Sequence, residues 1–302
     1  MQPQAMVTLT YPPHFLSTAA TIKSYFNHHP VVEVVIVIDD TNLIKLPGIN
    51  NTFVEWPDYV NDCKELYGSL GHLCSYVRLS QIPLFTSSKI ASSIGWLRQQ
   101  MVKFYMDQLL PDLESWFFTD GDMFFFETLP DATPYSAITG YYPSWIKYVA
   151  DTLQIAPELV KHSADYLHVN NRSNEITVSN PPWRHMSAAV LQGLRQYVEL
   201  KHNVDFMQYH NTYAESNGNQ QCSWSEWELI ELYQTHILQR PNQLKFCPPM
   251  PFQRGPPTNY RSPFKSTMLN LPAECDMGRD WFESMGVAVS DDHWQKACKI
   301  KK

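Results

Sequence analysis

The chain has 302 residues, 44% of them hydrophobic and 18% charged, with 13% aromatic residues, 22 prolines and a formal net charge of −7. That length and composition suit a full hydrophobic core in one large domain or two small ones, and exclude a disordered or low-complexity protein. The acidic balance, with no phosphate-tracking basic stripe, argues against a nucleic-acid binder, and no apolar run approaches the roughly 18 residues of a membrane helix.

In chain order, Ala5 to Thr10 reads as a first strand closed by Tyr11-Pro12-Pro13, and Phe15 to Phe26 carries apolar residues at helical spacing. Val31 to Ile38 is almost continuously apolar and β-branched, the pattern of a strand buried on both faces of a parallel sheet. It stops at Asp39-Asp40, and open α/β sheets place ligand contacts beyond the carboxyl ends of such strands. After an irregular stretch to Gly71, Ser75 to Ile82 reads as a third strand. A helix is predicted over Gly95 to Leu110, with Leu97, Met101, Phe104, Tyr105 and Leu109 on one face and Pro111 as its stop. Trp116 to Phe126 follows as the next strand, so residues 1–134 form a Rossmann-like half. Beyond Pro134 the pattern predicts helices over Pro157–His162, Met186–Leu200 and Ser223–Leu238, an extended loop over Cys247–Pro263, and a tail without a clear period. The expected division is therefore 1–134 and a helical, loop-rich 135–302, together one compact two-part domain.

The acidic strand carries the chemistry. Trp116-Phe117-Phe118-Thr119-Asp120-Gly121-Asp122-Met123-Phe124-Phe125-Phe126 drives an apolar run into two aspartates. Carboxylates in such surroundings need a cation or several hydrogen bonds. If the chain stays extended, Asp120 and Asp122 project to one side and can share a hard divalent ion, while Gly121 lets a partner approach the backbone closely. The bland alternative is a strand end with two solvated aspartates. Arg98 and Lys103, on the preceding helix with Gln99, either meet an anion or form a solvated face. Glu226, between Trp224 and Trp227, suits a desolvated general base, but Ser223-x-x-Glu226 is also a capping-box pattern. Asp39 and Asp40 either hold a base or ribose or cap a turn. His210 and His293 are candidate third metal ligands or packing residues. Arg254, Arg261 and Lys265 suit a phosphate or plain solvation, and Trp183 with His185 suits a sugar platform or a loop anchor. The six cysteines lack zinc-type spacing, and the N-terminal stretch lacks signal-peptide character, so free thiols in the cytoplasm are expected.

The order of these features resembles the GT-A superfamily of nucleotide-sugar glycosyltransferases. More narrowly, Gly95-Trp96-Leu97-Arg98-Gln99-Gln100-Met101-Val102-Lys103, the Asp120-Gly121-Asp122 strand and Ser225-Glu226-Trp227-Glu228-Leu229 are similar to motifs of an uncharacterised GT-A-like group in bacteria and large viruses. In that group the last motif reads Ser-Glu-Tyr-Glu-Leu-Tyr; here Trp227 and Ile230 replace the tyrosines, and Tyr233 comes three residues later. The resemblance spans roughly residues 5 to 240. It implies an α/β fold with a GT-A-like, Rossmann-type mixed sheet flanked by helices, and an acceptor-binding second half. It also implies transfer of a sugar from a UDP- or GDP-sugar donor to a carbohydrate or other hydroxyl acceptor. Asp120 and Asp122, with His293 as a third ligand, would hold Mn²⁺ or Mg²⁺. Thr10, Tyr11, Asp39, Asp40, Arg98, Lys103, Asp120 and Gly121 would contact the nucleotide-sugar, and Glu226 would act as base with Arg98 assisting the leaving group. The competing expectations are a non-catalytic sugar- or nucleotide-binding protein on the same fold, and a haloacid-dehalogenase-like phosphatase. The phosphatase fits less well, because Val31 to Thr41 ends in Asp-Asp-Thr rather than Asp-x-Asp.

Overall fold

The computed structural model describes residues 5–10, 14–28, 33–39, 65, 68–87, 95–125, 143–160, 183–217, 226–239, 268–270 and 278–299. Its elements in chain order are β1 (Ala5–Thr10), α1 (Phe15–His28), β2 (Glu33–Ile38), β3 (Cys74–Arg78), α2 (Pro83–Ser87), α3 (Gly95–Phe104), α4 (Met106–Leu109), β4 (Ser115–Asp120) and β5 (Met123–Phe125). These are followed by α5 (Pro143–Leu153), β6 (Trp183–Ser187), α6 (Ala188–His202), α7 (Phe206–Ser216), α8 (Glu226–Leu232), β7 (Met268–Asn270), α9 (Arg279–Ser284) and α10 (Asp291–Lys299). The architecture is α/β, with a parallel sheet and flanking helices, as the alternation over residues 1–134 predicts.

The chain divides into two compact units that are discontinuous in sequence: Met1–Ser88 with Trp116–Ala132 and Pro251–Lys302, and Lys89–Ser115 with Thr133–Met250. The division predicted at 134 follows chain order, whereas the helix carrying Arg98 and Lys103 groups with the second unit and the C-terminal tail with the first.

In the first unit β1, β2, β3 and β4 are parallel and ordered β3-β2-β1-β4. Every residue of β1 and all of β2 after Glu33 are buried, which is why their sequences show an apolar run and no alternation. The chain builds β1, β2 and β3 outward on one side, then crosses to lay β4 on the other side of β1. The carboxyl ends of β1 and β4 therefore flank a topological switch point, where open sheets bind ligands. Helix α1 turns Tyr25 onto Phe117 of β4 and Phe125 of β5, with ring centroids 6.1 and 5.5 Å away. Strand β5 leaves this sheet and pairs antiparallel with β7.

Several predicted spans change. The third strand stops at Arg78, and 79–81 form a 3₁₀ turn leading into α2, because Pro83 cannot donate to a sheet ladder and suits a helix start. The single helix over 95–110 breaks at Tyr105, whose φ of −110° and ψ of 15° are not helical. The freed carbonyl of Phe104 accepts a hydrogen bond from Arg195, which also forks onto both oxygens of Asp107 at 2.6 Å. Arg195 lies 4.8 Å from the centre of the Tyr105 ring. A remote cation thus stabilises a break that no local signal marks. The helix expected from Met186 begins at Ala188, since Met186 still belongs to β6. The tail, read as aperiodic, contains α9 and α10.

The second unit packs its core around Phe104, Phe206, Tyr148 and His210, all buried. No helix among the described residues is long and apolar enough to cross a membrane. The expectation of free thiols is corrected at one position. Cys74 is free, but Cys298 is in a disulfide, which removes the support that cysteine chemistry gave to a cytoplasmic location.

Candidate active site at the carboxyl ends of β1 and β4

Strand β4 delivers Asp120 as its last residue, opposite Leu9 of β1. Thr10 ends β1, and its carbonyl accepts a hydrogen bond from the backbone N–H of Asp39 at 2.9 Å, so the ends of β1 and β2 are tied together. Asp39, Asp120 and Asp122 are half-buried, while the strands behind them are sealed. This edge of the sheet thus presents carboxylates to solvent from an apolar base. Tyr11 and Asp40, expected to join them, lie outside the described residues.

The extended geometry expected for Asp120-Gly121-Asp122 is not what forms. β4 ends at Asp120, Gly121 and Asp122 make a turn, and β5 starts at Met123 in a different sheet. The two carboxylates therefore bracket a turn and are not successive same-side residues of one strand. The close approach expected at Gly121 is made by protein atoms. A Cβ there would lie 2.6 Å from the Thr18 hydroxyl and 2.8 Å from the Leu9 carbonyl, inside contact distance for both. Thr18 in turn donates to Thr10 at 2.7 Å or to the carbonyl of His14 at 2.8 Å.

His14 was not among the sequence candidates. It opens the helical turn that leads into α1, and burial lowers its pKa to about 4, with the Asp120 charge pulling the other way. A neutral imidazole beside a carboxylate at a switch point is a ligand-contact candidate. The available signal was its place at the start of the first helix after β1.

His293 also belongs to this unit, on α10. Its buried ring packs 5.9 Å from Phe15, and its backbone N–H is capped by Ser290. Among the described residues no group of three His, Cys, Asp or Glu side chains able to hold a metal occurs. His293 thus has the ring contact of the packing role weighed for it.

The remaining candidates fall in the second unit. Arg98 and Lys103 are both buried, which removes the solvated-face reading. Lys103 donates to Glu226 at 2.8 Å, and its ammonium lies 4.8 Å from the centre of the Trp227 ring. Glu226 opens α8, where Glu228 and Glu231 are buried as well. Ser223, Trp224 and Ser225 lie outside the described residues, as do Arg254, Arg261 and Lys265. Tyr233 opens a π-helical segment, and its ring packs on Tyr197 at 5.7 Å. His210 is a packing residue: its Nδ1 donates to the Phe206 carbonyl at 2.8 Å, so Nε2 accepts from the Tyr148 hydroxyl at 2.7 Å. Burial lowers its pKa to about 3. His185 sits half-buried on β6, its pKa lowered by burial.

No family model matches the chain, and no curated protein matches it in sequence. The solved structures it is similar to include glycosyltransferases. The galactosyltransferase LgtC, in complex with donor and acceptor sugar analogues, matches over 97% of this chain and 99% of its own at 9% identity and a TM-score of 0.48. Mouse xyloside xylosyltransferase 1 matches over 78% and 83% at 8% identity and a TM-score of 0.40. The bifunctional glycosyltransferase WbbM matches over 66% and 34% at 11% identity and a TM-score of 0.34. With scores below 0.5 and identities this low, none of them assigns an activity to this chain.

Proposed function

We propose that the chain is a GT-A-type glycosyltransferase that binds a UDP- or GDP-sugar through Mn²⁺ or Mg²⁺ and transfers the sugar to a carbohydrate hydroxyl. The observation that carries this reading is the placement of Asp120 at the carboxyl end of β4, beside the end of β1, where the strand order reverses. A nucleotide bound there would lie across the ends of β1 and β2, within reach of Thr10 and Asp39, with His14 at its edge.

The donor set fits a hard divalent ion. Two half-buried carboxylates bracket one turn, and oxygen ligands suit Mg²⁺ and Mn²⁺, which keep the other coordination positions for water and phosphate oxygens. Such an ion supplies Lewis-acid stabilisation to a diphosphate leaving group. In this reading Glu226 is the candidate base, its carboxylate held by the Lys103 ammonium within the second unit. Arg98 is the second cation of that helix. The burial and pairing of Glu226 favour one other reading, a sugar- or nucleotide-binding protein without turnover.

A thermal-shift panel of UDP-, GDP- and dTDP-sugars with and without Mn²⁺ separates these readings. A ligand at about 100 times its dissociation constant stabilises by about 2.7 kcal/mol, well within detection. The expected result is Mn²⁺-dependent stabilisation by one nucleotide class, lost in Asp120→Ala and Asp122→Ala, with slow donor hydrolysis by the wild type. Stabilisation without hydrolysis or transfer favours the binding protein. Nucleotide binding that ignores both aspartate substitutions overturns the metal site.

A further inference from the structure

The peptide groups on either side of Asp122 are held by one side chain from helix α1. The Thr21 hydroxyl accepts a hydrogen bond from the backbone N–H of Met123 at 3.0 Å. It donates toward the carbonyl of Gly121 at 3.1 Å, sharing that proton with the Ser17 carbonyl at 3.0 Å. Thr21 is fully buried. One turn further along the same helix, Ser24 accepts from the N–H of Phe125 at 3.1 Å, so α1 grips the start of β5 at alternate residues. Thr18, one turn earlier, closes over Gly121 from the same helix.

The geometry points to Thr21 as the positioning residue of the acidic turn: its hydroxyl fixes the backbone dihedrals of Asp122 and so sets where that carboxylate stands relative to Asp120. The physical reason is specific to this arrangement. Both peptide planes that flank Asp122 are pinned to one buried oxygen, and the φ and ψ of a residue are fixed once its two flanking planes are. A hydroxyl is needed because it must accept from one plane and donate to the other, which neither a methyl group nor a carboxylate does. Ser24 holds only an amide within β5, beyond the turn, and so contributes to stability without setting the aspartate.

This inference rests on the proposed metal site for its functional consequence, but its structural core is independent of metal. The test compares wild type, Thr21→Val, Thr21→Ser and Ser24→Ala, with Thr21→Ala in place of the valine should that variant not fold. Two measurements are made on each: the three-bond H–N–Cα–H coupling and amide exchange of Asp122 and Met123 by NMR, and Mn²⁺ affinity with and without UDP by electron paramagnetic resonance. Thr21→Val is expected to change the Asp122 coupling, speed exchange at Met123 and weaken Mn²⁺ by about 10-fold, the usual cost of losing a group that orients a ligand. Thr21→Ser restores both, and Ser24→Ala lowers the melting temperature while leaving the coupling and the Mn²⁺ affinity unchanged. An Asp122 coupling unaltered in Thr21→Val overturns the positioning role whatever the metal result. If the coupling changes while even the wild type fails to bind Mn²⁺, the positioning stands and the metal reading of the turn falls.

Discussion

Lys103 and Glu226 pose the sharpest question at the scale of single residues, because two opposite charges are paired with side chains only 4% and 2% exposed. Removing both from water costs several kcal/mol per ion, and their attraction offsets that only when the geometry is good. A 2.8 Å contact with a tryptophan ring beside the ammonium meets that condition. Breaking the pair from one side is then worse than removing it. Lys103→Met is expected to cost about 3–5 kcal/mol, and adding Glu226→Leu to recover part of the loss. Urea denaturation of both single variants and the double variant measures the coupling. Strictly additive losses would show that the two groups are held by other neighbours and not by each other. Sequence spacing placed Arg98 and Lys103 on a helix but could not reveal that the helix is buried, since a cation with a partner 123 residues away carries no local mark.

At the scale of elements, the turn between β4 and β5 depends on the helix beside it. Gly121 is buried because α1 lies where a side chain would go: the Thr18 hydroxyl is 2.6 Å and the Leu9 carbonyl 2.8 Å from its would-be Cβ. Gly121→Ala is therefore expected to destabilise by about 1–3 kcal/mol, as an overpacked core does. Adding Thr18→Ala should return only part of that, because the Leu9 oxygen is backbone and cannot rotate away. Thermal melts of the three variants check this, and full rescue by Thr18→Ala would show that the strand oxygen yields. This region also shows what sequence reading can reach. The strands and α1 were legible from Val31–Ile38 and the Phe15–Phe26 spacing, because burial on a sheet leaves a continuous apolar run and the apolar residues of α1 recur at helical spacing, though most of that helix is buried. The turn was not, because Met-Phe-Phe-Phe after Asp122 continues the apolar run while the backbone changes sheets. Of the candidate site, Asp120 and Asp39 are readable in the sequence because acids at strand ends stand out. Thr21, Thr18 and His14 were missed because a buried hydroxyl or a neutral imidazole looks like any helix residue until the strand it faces is known.

For the molecule as a whole, each compact unit contains a histidine that stays neutral in the fold: His14 in the first, with a pKa lowered to about 4, and His210 in the second, lowered to about 3. Burial is the main cause in both. In the unfolded chain a histidine takes up a proton near pH 6.5, whereas these two in the fold do not until pH 4 or below. The unfolded state therefore binds more protons over that interval, and stability falls as the pH is lowered from about 6.5, levelling off only below the folded pKa values. A neutral-to-acid shift also reduces the net negative charge, which relieves repulsion and acts in the opposite sense. The histidine term is the larger, at about 1.4 kcal/mol per pH unit for one fully excluded ring. Melting temperature is thus expected to drop steadily between pH 6.5 and 5, a range in which ordinary carboxylates have not yet titrated. His210→Gln removes one of these titrations, leaving those of His14 and of His185 and His236, whose pKa values burial also lowers. It should lower stability at pH 7.5 through the lost Tyr148 contact, yet flatten the slope between pH 6.5 and 5 without abolishing it. An unchanged slope in that variant would mean that His210 is protonated in the fold after all, and the Nδ1–H tautomer that accepts from Tyr148 would have to be abandoned with it.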